Sequence, residues 1–110
     1  MLAMAANARI FFFQKPIDMR KGLEGLSALV EENCSGELMT GSYFVFINRR
    51  KDRMKVLYWD MDGFAIWWKR LEKGSFRLLG IDRMLIDRRE FFMLLEGISH
   101  CKVQKRFKIH

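Results

Sequence analysis

The stretch from Ser42 to Lys73, SYFVFINRRKDRMKVLYWDMDGFAIWWKRLEK, leaves this chain few ways to fold. It holds three runs of β-branched and aromatic residues separated by two short polar breaks, and such residues fit a pleated, half-buried surface. Tyr43 to Ile47 is the first run. Met54 to Trp59 alternates, with Met54, Val56 and Tyr58 on one side and Lys55, Leu57 and Trp59 on the other. Phe64 to Trp68 likewise sets Phe64, Ile66 and Trp68 against Ala65 and Trp67. The first break, Asn48 to Arg53, is almost pure charge; the second is Asp60-Met61-Asp62-Gly63, where Gly63 can supply the positive φ of a tight hairpin. Connections this short join antiparallel strands, because parallel neighbours need crossovers of a dozen or more residues. A three-strand meander is therefore expected.

The flanking segments add a helix on each side. Arg9 to Gln14 is a short apolar run that reads as an inner strand, ended by Lys15-Pro16-Ile17 because proline removes a ladder donor. Asp18 stands where a helix N-cap belongs, able to accept from the amides of Arg20 or Lys21, and the helix runs to about Asn33. Leu23, Leu26 and Val30, with Met19, space its apolar stripe. Gly22 and Gly25 inside that helix each cost about 1 kcal/mol against alanine. Close packing on the sheet, or a phosphate approaching the helix start beside Arg20 and Lys21, would each account for them. Phe76 to Leu79 reads as a further short strand. Asp87 and Glu90 have the spacing of a capping box ahead of a second helix, Arg88 to about Gly97. The expected fold is α+β: one small domain over residues 1–110, an antiparallel sheet of four to five strands that includes the three-strand meander, packed by two helices.

Charge carries the functional signal. The formal net charge is +7, and residues 42–73 hold eight basic and four acidic side chains. The tail, 102–110, has four basic and no acidic ones, and reads as either an edge strand or a disordered arm. Clustered cations beside aromatic strands form the electrostatic footprint of a nucleic-acid binder, through release of condensed counterions, and equally suit a solvated surface. Trp59, Trp67 and Trp68 can stack on unpaired bases or fill the core. Adjacent in one strand, Trp67 and Trp68 must face opposite sides.

Signals for other classes are weak. Asp60 and Asp62 form a D-x-D able to hold Mg²⁺ for a nuclease, but aspartate is also the ordinary residue of a tight turn. His100 and His110 have no carboxylate partner in the sequence pattern, and no P-loop, G-x-S-x-G, H-E-x-x-H or paired C-x-x-C occurs. No catalytic residue, metal site or cofactor is expected. No apolar run approaches the ~20 residues of a membrane span, and no leader peptide is expected. Cys34 and Cys101 read as reduced thiols of a cytoplasmic protein.

Four motifs stand in order: Asp18-Met19-Arg20-Lys21-Gly22 with Gly25-Leu26; Phe44-Val45-Phe46; Asn48-Arg49-Arg50-Lys51-Asp52-Arg53 with Lys55-Val56-Leu57-Tyr58-Trp59-Asp60; and Lys69-Arg70-Leu71-Glu72-Lys73-Gly74 with Phe76. Over residues 9–97 the chain resembles the TnpB-type accessory protein, the second small reading-frame product of the insertion-sequence family numbered sixty-six. The RNA-guided nuclease also called TnpB is a different protein. Two segments depart from the family pattern: Gln14-Lys15-Pro16-Ile17, and Phe76 to Gly80, where relatives carry proline and tryptophan. The resemblance implies a bacterial, non-catalytic protein encoded beside a larger transposase and needed for efficient transposition. It places the family motif on Asp18, Met19, Gly22, Gly25, Asp52, Trp59, Asp60, Gly63, Leu71, Glu72 and Gly74 among the basic residues. The expected DNA-contacting residues are Arg49, Arg50, Lys51, Arg53, Lys69, Arg70 and Lys73, with Arg20 and Lys21. The expected partners are DNA, the transposase and the element's other accessory protein. The alternative is an adaptor that docks on those proteins without touching DNA. Self-association is left open.

Overall fold

The alternating runs become strands almost where the pattern puts them. The computed structural model describes residues 4–78 and 80–96. Its strands are β1 (Ile10–Phe13), β2 (Tyr43–Ile47), β3 (Arg53–Asp60), β4 (Gly63–Arg70) and β5 (Leu85–Ile86). Helix α1 spans Leu23–Asn33, and residues 88–96 form a second helix, α2. The five strands make one sheet in the order β4-β3-β2-β1-β5. β2, β3 and β4 form the expected meander, paired antiparallel with Tyr43 opposite Tyr58 and Val56 opposite Trp67.

Where the expectation was an antiparallel sheet, the finding is a mixed one. β1 runs parallel to β2, with Ile10 opposite Tyr43 and Phe13 opposite Phe46, and α1 lies in the crossover between them. Parallel neighbours need such a connection, and the segment after β1 supplies it. β5, only two residues long, closes the far edge antiparallel to β1. The expected strand at Phe76 to Leu79 does not form among the described residues of that segment. The Phe76 amide donates instead to the Lys51 carbonyl at 2.6 Å, and its ring is buried.

Each face of the sheet has its own core. On one, Ile10, Phe12, Val45, Met54 and Val56 pack with Phe76 and with Phe91, Leu94 and Leu95 of α2. On the other, Phe13, Phe44, Phe46 and Leu57 pack with Leu26 and Val30 of α1. The capping box of α2 is present and reciprocal. The Glu90 amide donates to the Asp87 carboxylate at 2.7 Å, and the Asp87 amide to the Glu90 carboxylate at 2.9 Å.

α1 begins four residues later than its sequence suggested. Asp18 does accept from the Arg20 amide at 2.9 Å, but in a turn closed by the Lys21 amide on the Asp18 carbonyl. Gly22, with no side-chain cap, is the N-cap. Met19 therefore lies outside the helix, and Leu23 is exposed rather than part of the stripe. The glycines do not let the helix approach the sheet. A Cβ on Gly22 would meet open space, and one on Gly25 only the Lys21 side chain, at 3.3 Å. In the β3–β4 turn the left-handed residue is Met61, φ 57°, and not Gly63. The tail 102–110, Cys101 and both histidines lie outside the described residues.

Candidate nucleic-acid interface

Because β1 and β2 are parallel and β3 is antiparallel to both its neighbours, three connections meet at one end of the sheet. They are the turn after β1 that carries Asp18 to Gly22, the β2–β3 loop, and the segment after β4. The Ile17 amide donates to the Ile47 carbonyl at 3.1 Å, which ties the first to the second. Leu71 donates to the Asp52 carbonyl at 2.7 Å, which ties the third to the second. Three stretches far apart in the chain thus share one rim.

The β2–β3 loop is held from inside by Asn48. Its side-chain oxygen accepts the amides of Asp52 and Arg53 at 3.1 and 3.0 Å, and its Nδ2 donates to the Asp52 carboxylate at 2.7 Å. That hydrogen bond, aided by the charges of Arg53 and Arg50, holds the Asp52 carboxyl below its ordinary range. Lys51 takes a left-handed φ of 62° to close the loop. Arg49, Arg50 and Lys51 point outward and exposed. Among the described residues, none of these three, nor Arg53, Lys69 or Lys73, forms an ion pair.

The turn after β1 is fastened by Lys55, whose ammonium donates to the carbonyls of Met19 and Lys21, each at 2.8 Å. This lysine is thereby largely committed to the backbone. Arg20 makes a fork on Asp18, with Nη2 to Oδ2 at 2.7 Å. The Arg20 hydrogen bonds pull the Asp18 carboxyl from 3.8 to about 2, and the aspartate in turn raises the guanidinium. A groove of about 560 Å³ runs between this turn and the loop, lined by Arg20 and Asp18 on one side and Arg49, Arg50 and Arg53 on the other. A second groove of about 440 Å³ continues from it along Arg53, Lys55 and Trp68.

The expected contact residues divide accordingly. Arg20, Arg49, Arg50 and Arg53 line the first groove together. Arg70 sits directly opposite Arg53 in the β3–β4 ladder and pairs with Glu72 at 3.3 Å. Lys69 precedes Arg70 and so faces the other side of the sheet, and Lys21 lines a separate groove with Gln14 and Leu29. Lys73 is exposed in the turn before Gly74, whose φ is 76°. Of the motif residues, Leu71 packs on the α2-side core, while Trp59, Asp60 and Gly63 lie at the opposite end of the sheet, Trp59 edge-on to Phe64 at 4.9 Å. Sequence reasoning missed Asn48 as the brace. Its signal was an amide side chain opening a charged loop with an aspartate near the close.

A family model described as IS66 Orf2 like protein matches residues 8–105. The chain belongs to that family. Two relatives come from Sinorhizobium fredii, both described as uncharacterized. Protein y4jC is 31% identical over 108 residues, 96% of this chain and 92% of its own length. Protein y4hO is 33% identical over 76 residues, 69% of this chain and 66% of its own. No solved structure matches. An IS66 Orf2-like protein is an accessory of insertion-sequence transposition, so the three clustered connections are to be read against that work. Among the described residues, no helix is long and apolar enough to cross a membrane, and no three His, Cys, Asp or Glu side chains gather as a metal-holding group.

Proposed function

We propose that this accessory protein binds DNA phosphates through the β2–β3 loop and so assists the transposase in the bacterial cytoplasm, with no catalytic step of its own. The observation that carries this reading is the braced loop: Arg49, Arg50 and Lys51 are exposed and unpaired by any carboxylate among the described residues, beside Arg53 and Arg20. A braced loop loses little backbone freedom on meeting phosphate, and each contact releases condensed counterions. Arg70 and Lys73 extend the charged rim, while Lys69 and Lys21 contribute through the general field. Arg20 acts with its charge shared by Asp18.

The test is anisotropy with element-end duplex, random duplex and single strands at two salt concentrations. Wild type should lose affinity steeply as salt rises, and a variant with Arg49, Arg50, Lys51 and Arg53 changed to alanine should lose most of its binding. No binding by either protein at low salt refutes the reading.

A second reading, an adaptor that docks on the transposase or the other accessory protein, draws on β4. It is an edge strand of the sheet and carries the exposed Ile66. A complex with the transposase that survives high salt, joined to absent DNA binding, would select it.

A further inference from the structure

We propose that the groove beside Trp68 takes one unpaired base of a single-stranded nucleic acid, stacking it on the indole while Arg53 and Arg20 hold the adjoining phosphate. This deepens the phosphate-binding reading and rests on it, since the base site adjoins the loop's cations.

The position of Trp68 is the first reason. It lies on the sheet face that α1 covers, but the core that Leu26 and Val30 of α1 build with Phe13, Phe44, Phe46 and Leu57 takes in Phe64 from the start of β4 and not Trp68. Beyond them β4 emerges, and Trp68 is 52% exposed. Its neighbour Trp67 faces the other way and packs against the α2-side core. An indole left half in water near the end of β4 gives little to folding and offers a flat apolar surface.

The charges around it are the second reason. Trp68 pairs across the ladder with Lys55, and the next pair on the same face, Arg53 opposite Arg70, lies ~7 Å along the strands. Two arginines directly opposite each other repel unless an anion joins them. Glu72 pairs with Arg70, at 3.3 Å, whereas Arg53 forms no ion pair among the described residues, feels the Asp52 carboxylate only through space, and has a buried Nε without a hydrogen-bond partner. Lys55 is occupied by the Met19 and Lys21 carbonyls. The groove of about 440 Å³ is lined by these residues: Met19 and Trp68 are apolar, and Arg20, Arg53 and Lys55 are cationic.

A flat apolar wall next to a guanidinium that no carboxylate pairs matches a nucleotide, whose base and phosphate are one ribose apart. Duplex DNA offers no open base face, because its bases stack on each other. Stacking of this kind tolerates any base, so the site confers preference for unpaired strand and not for sequence.

The experiment compares labelled oligothymidylate with a fully paired duplex, by anisotropy and by tryptophan emission, for wild type, Trp68→Ala and Trp68→Phe. Circular dichroism of the full-length variants checks that each is folded. Single strand should quench wild-type emission. Trp68→Ala should lose roughly 5- to 100-fold in single-strand affinity, with Trp68→Phe recovering most of it and duplex affinity unchanged. The salt slope of Trp68→Ala should match wild type, because no phosphate contact is removed. Single-strand affinity that Trp68→Ala leaves intact, or a loss shared equally with duplex, overturns the base site while leaving phosphate binding standing. Wild type that binds neither nucleic acid at low salt overturns both.

Discussion

The two hairpin turns of the meander stand at opposite ends of one sheet and solve the same geometric problem differently. At the basic end, Asn48 to Asp52 is a loop cross-linked by its own first side chain and joined by backbone hydrogen bonds to the segments around it. At the other, Met61 and Asp62 are a bare two-residue turn between Asp60 and Gly63. Each uses a non-glycine residue in the left-handed region, Lys51 at φ 62° and Met61 at φ 57°. That conformation costs a side-chain-bearing residue about 1 kcal/mol or more. In the loop the strained residue presents a cation on a fixed frame; in the turn it presents a methionine that is 90% exposed. A chain under pressure only to fold would place glycine at both. The strain is alike at the two turns; only at the basic end does it sit in a braced loop that presents a cation.

The contrast can be broken most forcefully at Asn48. Asn48→Ala removes the brace and leaves the part-buried Asp52 carboxylate without its donor, and should cost about 2–3 kcal/mol in urea denaturation. DNA affinity should fall with it, although no cation is lost. Lys55→Met frees the turn after β1 and should cost about 2 kcal/mol, with faster amide exchange at Lys21 and Gly22. Replacing each left-handed residue separates the two turns more finely. Lys51→Gly and Met61→Gly should each stabilise by about 0.5–1 kcal/mol, and only Lys51→Gly should reduce the salt slope of DNA binding, by about one. Equal effects of the two on DNA would erase the distinction drawn between the ends.

Acid probes the basic end through Asp18. Asp18 is ionised down to about pH 2 in the folded protein against 3.8 ordinarily. Its depressed value means that its contribution is fully present above pH 3.8 and lost as pH falls through about 2. A carboxyl-carbon NMR titration should place the Asp18 midpoint near 2, and Arg20→Ala should return it toward 3.8. The smallest effect belongs to the far turn. Asp60→Asn with Asp62→Asn should change stability by less than about 0.5 kcal/mol and leave DNA binding as it was.

The meander was legible almost residue by residue, since period-two alternation and turn residues are local signals. What was not legible came from contacts across the chain. Asp18 looked like an N-cap and does accept the Arg20 amide, yet the helix waits for Gly22. The Lys55 ammonium holds the Met19 and Lys21 carbonyls that an earlier helix would need for its own first bonds. The parallel pairing of β1 and the two-residue β5 depend on partners distant in sequence, which no window of residues contains. At the interface, the charges of Arg49, Arg50 and Arg53 could be read directly, and their union with Arg20 could not. Trp68 was half legible: alternation put it opposite Trp67, and only the reach of α1 decided which of the two stayed in water.

The parallel pairing of β1 also bears on how the protein is made. Ile10 to Phe13 is made before either of its partners: residues 14–42 must be synthesised before β2 exists to receive it, and β5 comes later still. Until then four large apolar residues have no strand to pair with, and an uncharged strand in that condition pairs readily with another chain. Arg9 adjoins it and Lys15 follows two residues after its end, where like charges on two nascent chains oppose such pairing.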